Sequence, residues 1–300
     1  MTSTASHPDL GRIGVWSVGL RATDPQRRSE TADAAAELEQ LGYGAIWVGG
    51  SPPLDQVEPL LAATSRITVG SSIVTIWQYE PAQLAALHAD LNATHGGRFV
   101  LGLGVSHDKA VTDPGVQETL RRRPYSAMRD YLDALDAAPR PVPAGQRALA
   151  ALGPKMLRLA RDRAAGALPY LVTAEHTAQA REALGQEAWL APELKVVLDR
   201  DRDRAREIAR GYLGGYIALD NYRNSWLRLG FTEDDLADGG SDRLVDSVYA
   251  LGDTGTVRAR VDEFFAAGAD HVALQVVTGG PAHALPRAQW RELADALPLR

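Results

Sequence analysis

Short apolar runs rich in valine, isoleucine and leucine alternate along the whole chain with stretches whose alanines, leucines, arginines and glutamates recur at helical spacing. A short apolar run bounded by turn formers reads as a strand buried on both faces, and apolar positions every three or four residues read as one face of a helix. This pattern predicts strands over residues 12–18, 45–49, 67–73, 98–105, 147–152, 166–172, 193–198 and 270–277, and helices over 26–41, 81–93, 125–137, 154–165, 175–184, 201–213, 257–267 and 288–297. Strict alternation of strand and helix implies a parallel sheet, because each crossover is made by a helix. Eight such units in 300 residues match a closed (β/α)₈ TIM barrel better than an open doubly wound sheet. No proline- or serine-rich linker divides the chain, so one domain over residues 1–300 is expected, with 1–10 as a flexible start.

Boundary chemistry agrees with this layout. Gly42 and Gly268 follow helical stretches and suit a left-handed cap, and Pro81 suits a first helical turn, where its missing N–H costs nothing. Two stretches depart from the repeat: a polar insertion at 112–124 and a tyrosine- and tryptophan-rich region at 213–247. Such insertions are expected to lie over the C-terminal face of a barrel, where its chemistry sits.

Composition narrows the function classes. A net charge of −6 argues against nucleic acid as the main partner, and a small-molecule substrate is expected instead. The chain has no cysteine, which excludes a disulfide framework, a thiolate nucleophile, iron–sulfur ligation and cysteine-bound zinc. No apolar run approaches membrane-spanning length and the first residues lack a signal-peptide pattern, so no membrane is expected and the location is expected to be cytoplasmic. No HExxH or other metal-ligand spacing occurs, so no metal is expected.

The most informative segment is FVLGLGVSH, residues 99–107. It is an apolar strand that ends in glycines followed by Ser106 and His107. Gly102 and Gly104 clear one side of the strand, so a flat ligand or another backbone can approach. His107, at the carboxyl end, suits acid–base work or anion binding, or a structural hydrogen bond in the loop. In the third strand Gly70, Ser71 and Ser72 interrupt the branched residues. They mark a bulge or barrel corner, or a backbone distortion beneath a ring system.

Gly153, Pro154 and Lys155 open a helix whose free N–H groups suit an anion, and Lys155, one of three lysines (109, 155 and 195), is either a phosphate contact or solvated. Pro169 within a strand implies either a bulge or a shaped wall. His271 reads as structural, while His88, His95 and His176 suit capping or surface roles. The charged runs at 121–123 and 199–206 read as a loop and a solvated helix face. Ser106 has no GxSxG elbow around it, and no GxxxxGK[ST] or GxGxxG occurs at a strand–helix turn. Trp16, Trp77, Tyr216, Tyr222 and Trp226 are candidate walls of an apolar substrate pocket, or core.

These blocks together resemble the bacterial luciferase-like family of (β/α)₈ flavin and deazaflavin oxidoreductases. The resemblance rests on GYGAIWVGGS (42–51), ITVGSSIVTIW (67–77), GGRFVLGLGVSH (96–107), ALGPKM (151–156), GALPYLVTAEHT (166–177) and AGADHVALQVV (267–277). Within the family the chain looks most like the actinobacterial branch of coenzyme F420-dependent oxidoreductases. The resemblance implies a non-proline cis peptide at Ser72–Ile73 behind the deazaflavin ring. It implies ring or ribityl contacts from Gly104, Val105, Ser106 and His107, and a chain and phosphate site at Gly153, Pro154, Lys155, Leu168, Pro169 and Tyr170.

One departure stands out. Several F420 dehydrogenases of the family carry an acidic residue and a catalytic histidine at the end of the second strand, where this chain has Gly49, Gly50 and Ser51. Proton transfer would then fall to His107, to a tyrosine of 213–247 or to water, in a pocket widened by the two glycines. The resemblance thus implies hydride transfer between F420 and an organic substrate, in a homodimer. The alternatives are an FMN-dependent monooxygenase of the same fold and a non-catalytic cofactor-binding member. A barrel hydrolase or isomerase would bind neither cofactor.

Overall fold

A computed structural model describes residues 8–107 and 111–299. The strands are β1 (Ile13–Ser17), β2 (Ala45–Gly49), β3 (Thr68–Ser72), β4 (Val74–Thr75), β5 (Phe99–Gly104), β6 (Arg147–Leu149), β7 (Gly166–Ala167), β8 (Trp189–Leu190), β9 (Glu193–Leu198), β10 (Tyr249–Gly252) and β11 (Val272–Val276). All pair in parallel, in the order β10-β9-β11-β1-β2-β3-β5-β6-β7-β8, with β4 on β5. The path closes on itself between β8 and β9, which Ala191 and Pro192 join directly. Ala191 and Glu193 donate backbone N–H bonds to Ala167 and Pro169 on one side, and Pro192 accepts from Ala273 on the other. The result is a TIM-barrel-like ring whose strands are largely buried, as in a parallel sheet covered by helices.

The helices are α1 (Pro25–Leu41), α2 (Glu58–Ala62), α3 (Pro81–Thr94), α4 (Pro114–Arg122), α5 (Pro124–Asp136), α6 (Pro154–Arg163), α7 (Ala174–Leu184), α8 (Arg202–Ile217), α9 (Asp220–Arg228), α10 (Asp242–Val248), α11 (Thr254–Ala266) and α12 (Arg287–Ala296). None is long and apolar enough to cross a membrane. Their ends follow capping chemistry. Asp24 accepts the Arg27 N–H at the start of α1, and Gly42 closes that helix at φ +98°.

Several expectations are corrected. The strand expected at 166–172 ends at Ala167, because Pro169 has no N–H for the ladder and Leu171 turns to φ +53°. The polar stretch 112–124 is largely helix α4, capped by the Asp113 carboxylate on the Val116 N–H, so Arg121 and Arg122 lie on a helix rather than a loop. The aromatic region 213–247 contains the end of α8 together with α9 and most of α10, and it is followed by β10. Of the start expected to be flexible, residues 1–7 lie outside the described residues; Leu10 is buried, and the Asp9 carbonyl accepts from the Thr68 hydroxyl.

The barrel floor is packed around Trp47. Its ring fills the space above Gly70, where a Cβ would lie 2.4 Å from it. Its indole N–H donates to His271 Nε2 (3.0 Å), and His271 Nδ1 lies 2.9 Å from the Gly11 carbonyl. Burial pushes the His271 pKa down to about 4, so the ring is neutral, with Nε2 accepting and Nδ1–H donating. His271 is structural, as expected.

A single carboxylate ties α1 to the entry of β3. Glu39 accepts backbone N–H bonds from Ser65 (2.9 Å), Arg66 (2.6 Å) and Ile67 (2.9 Å). Partial burial opposes its charge, but the amides of Ile67, Arg66 and Ser65 outweigh that and hold its pKa at about 2, against an ordinary 4.5. A depressed folded-state pKa stabilises above the unfolded value and is lost as pH falls toward the folded one. Urea unfolding followed from pH 5 to about pH 2 should therefore show the wild type losing more stability than Glu39→Gln. Parallel curves would show that the amide cluster does not select the charged form.

Candidate active site

The carboxyl ends of the strands open into a cleft of about 1190 Å³. Its wall is built from residues at the ends of several strands and from the helices after them.

At β1 and β2, Gly49 is needed by Trp16 rather than by a ligand. A Cβ on Gly49 would lie 2.2 Å from the Trp16 ring, which fills that space and lines the cleft. The pocket expected to be widened by two glycines is therefore not widened at Gly49, which lies outside the wall; Gly50 (φ +76°) lines it. Ser51, at φ +53°, donates to Gln78 Oε1 (2.7 Å) and accepts from the Thr75 N–H (2.9 Å).

At β3 to β5 the register slips. Gly70 faces Val100, but Val74 faces Leu103, so four residues on one strand match three on the other. This is the bulge expected from Gly70, Ser71 and Ser72. The Ser71 carbonyl sits 2.0 Å from where a Gly102 Cβ would be, and the Ser71 hydroxyl bonds both the N–H and the carbonyl of Gly102 at 3.0 Å. Gly104 admits the Ile73 side chain, 2.8 Å from its own missing Cβ. Another backbone accounts for Gly102, whereas Gly104 receives the Ile73 side chain. The Ser72–Ile73 peptide is cis. Ser72, Ile73 and Gly104 line the cleft, as does Trp77, whose indole N–H donates to the Val105 carbonyl (2.7 Å).

Past β5, Val105, Ser106 (φ +67°) and His107 continue the wall, and the His107 ring packs 5.4 Å from Tyr222. At the start of α6, Gly153 lines the cleft with open space around it, since a Cβ there would meet nothing within 4 Å. Among the described residues no side chain caps that helix start. Pro154 and Lys155 are exposed and lie outside the wall. Leu168 and Tyr170 line it, whereas Pro169 does not, its carbonyl accepting from Glu193. From the two departures from the repeat, Leu120 and Arg121 of α4 and Tyr216 and Tyr222 of α8 and α9 reach the wall.

Two aromatic and histidine readings are corrected. Trp226 is fully buried below the wall, its N–H donating to the Leu171 carbonyl (3.1 Å), so it is core. His88 and His176 are buried rather than surface residues, Nε2 of His176 lying 2.9 Å from the Leu152 carbonyl.

The feature missed in the sequence is a buried charge. Lys195, 0% exposed, bonds Glu193 Oε1 (2.9 Å) and Gln275 Oε1 (3.0 Å) and sits 3.6 Å above the Tyr170 ring. Tyr170 donates to the same Gln275 oxygen (2.9 Å) and meets the Tyr212 hydroxyl at 2.8 Å. Burial pushes the Glu193 carboxyl up, opposed by Lys195, and pushes the Tyr170, Tyr216 and Tyr222 hydroxyls well above their ordinary range. The available signal was ELKVVL, where two charged residues alternate on one face of an otherwise apolar strand.

Two polar atoms of the cleft-lining residues Trp16 and Thr75, Nε1 and Oγ1, are buried without a hydrogen-bond partner among the described residues. Together with the open helix start at Gly153, they fit a ligand that is flat at one end and anionic at the other.

Residues 10–271 match the family profile described as luciferase-like monooxygenase. A Mycobacterium tuberculosis protein provisionally named a coenzyme F420-dependent oxidoreductase is 25% identical, over 94% of this chain and 96% of its own. An F420-dependent secondary alcohol dehydrogenase, solved with an F420–acetone adduct, has a similar fold at a TM-score of 0.69 and 15% identity, covering 96% of this chain and 98% of that one. The oxygenating component of 3,6-diketocamphane monooxygenase from Pseudomonas putida, solved with FMN, has a TM-score of 0.63 at 15% identity, covering 95% and 96%.

Removing one partner of a buried ion pair leaves the other uncompensated. Lys195→Met should lower stability by about 3–5 kcal/mol in urea unfolding, and adding Glu193→Leu should recover much of it. A double variant as unstable as the single one would show that the pair does not act as a unit.

Proposed function

Because this chain belongs to the luciferase-like monooxygenase family of flavin- and F420-dependent oxidoreductases, we propose that it is an F420-dependent enzyme moving a hydride between the deazaflavin and an organic substrate. The observation that carries this reading is the convergence on one cleft of the Ile73 shelf, the Gly104–His107 strand end and the open start of α6 at Gly153. The F420-dependent relative and the F420-bound structural neighbour support the choice of cofactor.

The residues divide the work by their chemistry. The free N–H groups at Gly153 and the positive end of α6 would hold a phosphate, with Lys155 beside them. Trp16 Nε1 and Thr75 Oγ1 offer donors to the polar edge of a ring system. When bound, a deazaflavin supplies two-electron chemistry as a hydride at its central ring carbon. The residues from α4, α8 and α9 in the wall would limit water over the C-terminal face. In place of the acidic residue and histidine at the end of the second strand stand Gly49, Gly50 and Ser51, so a proton must be handled elsewhere, and the tyrosines on the opposite wall are placed for it.

A second reading, an FMN-dependent monooxygenase, is favoured by the FMN-bound neighbour. The two separate in a binding titration of the purified chain followed by ligand fluorescence. F420 should be quenched to saturation and FMN should not; tight FMN binding with none for F420 overturns the proposal. Gly153→Glu, which places a carboxylate at the start of α6, should weaken F420 binding by about tenfold. Unchanged affinity would remove the phosphate from that helix.

A further inference from the structure

Each tyrosine hydroxyl carries one proton, and the cluster beside the cleft can be followed proton by proton. Gln275 Oε1 takes the Tyr170 proton at 2.9 Å and one Lys195 proton at 3.0 Å. The Tyr170 oxygen takes the Tyr212 proton at 2.8 Å. Among the described residues the Tyr216 hydroxyl is left with two contacts, to Tyr170 and to Tyr212, both at 3.3 Å. That is beyond the roughly 2.5–3.0 Å of an ordinary O–H···O bond. Tyr216 is also the member of this cluster, apart from Tyr170, that lines the cleft. Its ring is fixed by stacking on Tyr212 (5.5 Å, 17°) and by an edge contact with Tyr222 (5.2 Å, 86°).

We propose that Tyr216 is the hydrogen-bond donor for the oxygen of a conjugated ketone bound in this cleft, with Tyr170 and Tyr212 as its positioning residues. The class of ligand follows from the surroundings. Trp16, Trp77, Tyr170 and Tyr222 offer apolar faces to a flat, conjugated body, and the poorly satisfied hydroxyl offers one donor to an accepting oxygen. With the ring held in place, rotating only the Tyr216 O–H toward a ligand costs the cluster little, because Tyr212 already satisfies Tyr170. Burial keeps the Tyr216 proton in place until an acceptor arrives.

On the F420 reading above, which this step rests on, Tyr216 gives its proton to the ketone oxygen as the carbonyl π pair moves there. The carbonyl carbon gains a C–H bond from the hydride of reduced deazaflavin. The ketone would become an alcohol, the deazaflavin would be left oxidised after giving up the hydride and releasing one proton to solvent, and solvent would return a proton to Tyr216. The binding claim itself needs no cofactor.

The test is infrared difference spectroscopy of acetophenone labelled with ¹³C at its carbonyl, bound to the full chain without cofactor. A donated hydrogen bond weakens the C=O bond, so the bound band in the wild type should lie below its position in an apolar solvent. In Tyr216→Phe the band should return to the apolar position, with affinity reduced about 3- to 10-fold. The proposal is overturned by a wild-type band at the apolar position or by a band that Tyr216→Phe leaves unmoved. The wild-type spectrum decides even if a variant does not fold. Failure of F420 to bind in the separate titration would count against the proposed reaction and leave the assignment of this donor standing.

Discussion

Between Gly70 and Val74 the third strand of the ring advances four residues while β5 advances three, and the mouth of the barrel takes its shape from that mismatch. The extra residue has to leave the ladder, and the backbone can follow only because β5 carries no Cβ at 102 or 104. Ser71 repairs the interrupted pairing by bonding both polar groups of Gly102, so neither is left unmet. Ile73 is then delivered onto Gly104 as a shelf in the cleft wall. A side chain at either glycine would displace this shelf, so the glycines act on the site through the neighbouring strand.

The opposite wall is organised by a charge that water does not reach. Lys195 in β9 would be costly in the barrel interior without partners; beside Glu193 on its own strand it draws on Gln275 on β11, Tyr170 after β7 and, through Tyr170, Tyr212 on α8. Satisfying the ammonium therefore fixes the direction of the Tyr170 hydroxyl and, through it, that of Tyr212. The end of the chain of bonds, Tyr216, is the least satisfied and lies at the cleft. A requirement of the interior thus sets the polarity of the surface a ligand would meet.

Much of the scaffold was legible because buried parallel strands announce themselves as apolar runs, and β5, with its glycines followed by Ser106 and His107, marked the mouth correctly. The bulge could be read from Gly70, Ser71 and Ser72. What fills the space beside a glycine could not, because it is decided by a residue distant in sequence: Trp16 for Gly49, Trp47 for Gly70 and Ile73 for Gly104. Composition could not separate Trp226 from Tyr222, since both lie in one aromatic stretch and only packing makes the first core and the second wall. Helix α4 was hidden by its polarity, although Asp113 and Pro114 are ordinary helix-start signals. Lys195 was visible as a charge within an apolar strand, but its meaning depends on partners on other strands and helices.

The central claim is that the bulged strand, the end of β5 and the start of α6 form one cofactor site. A crystal structure of the chain with F420 tests it most directly. The account predicts the deazaflavin ring against Ile73 and the Gly104–His107 strand end, with the phosphate on the N–H groups at Gly153. F420 bound elsewhere, or bound with its phosphate away from α6, would contradict it.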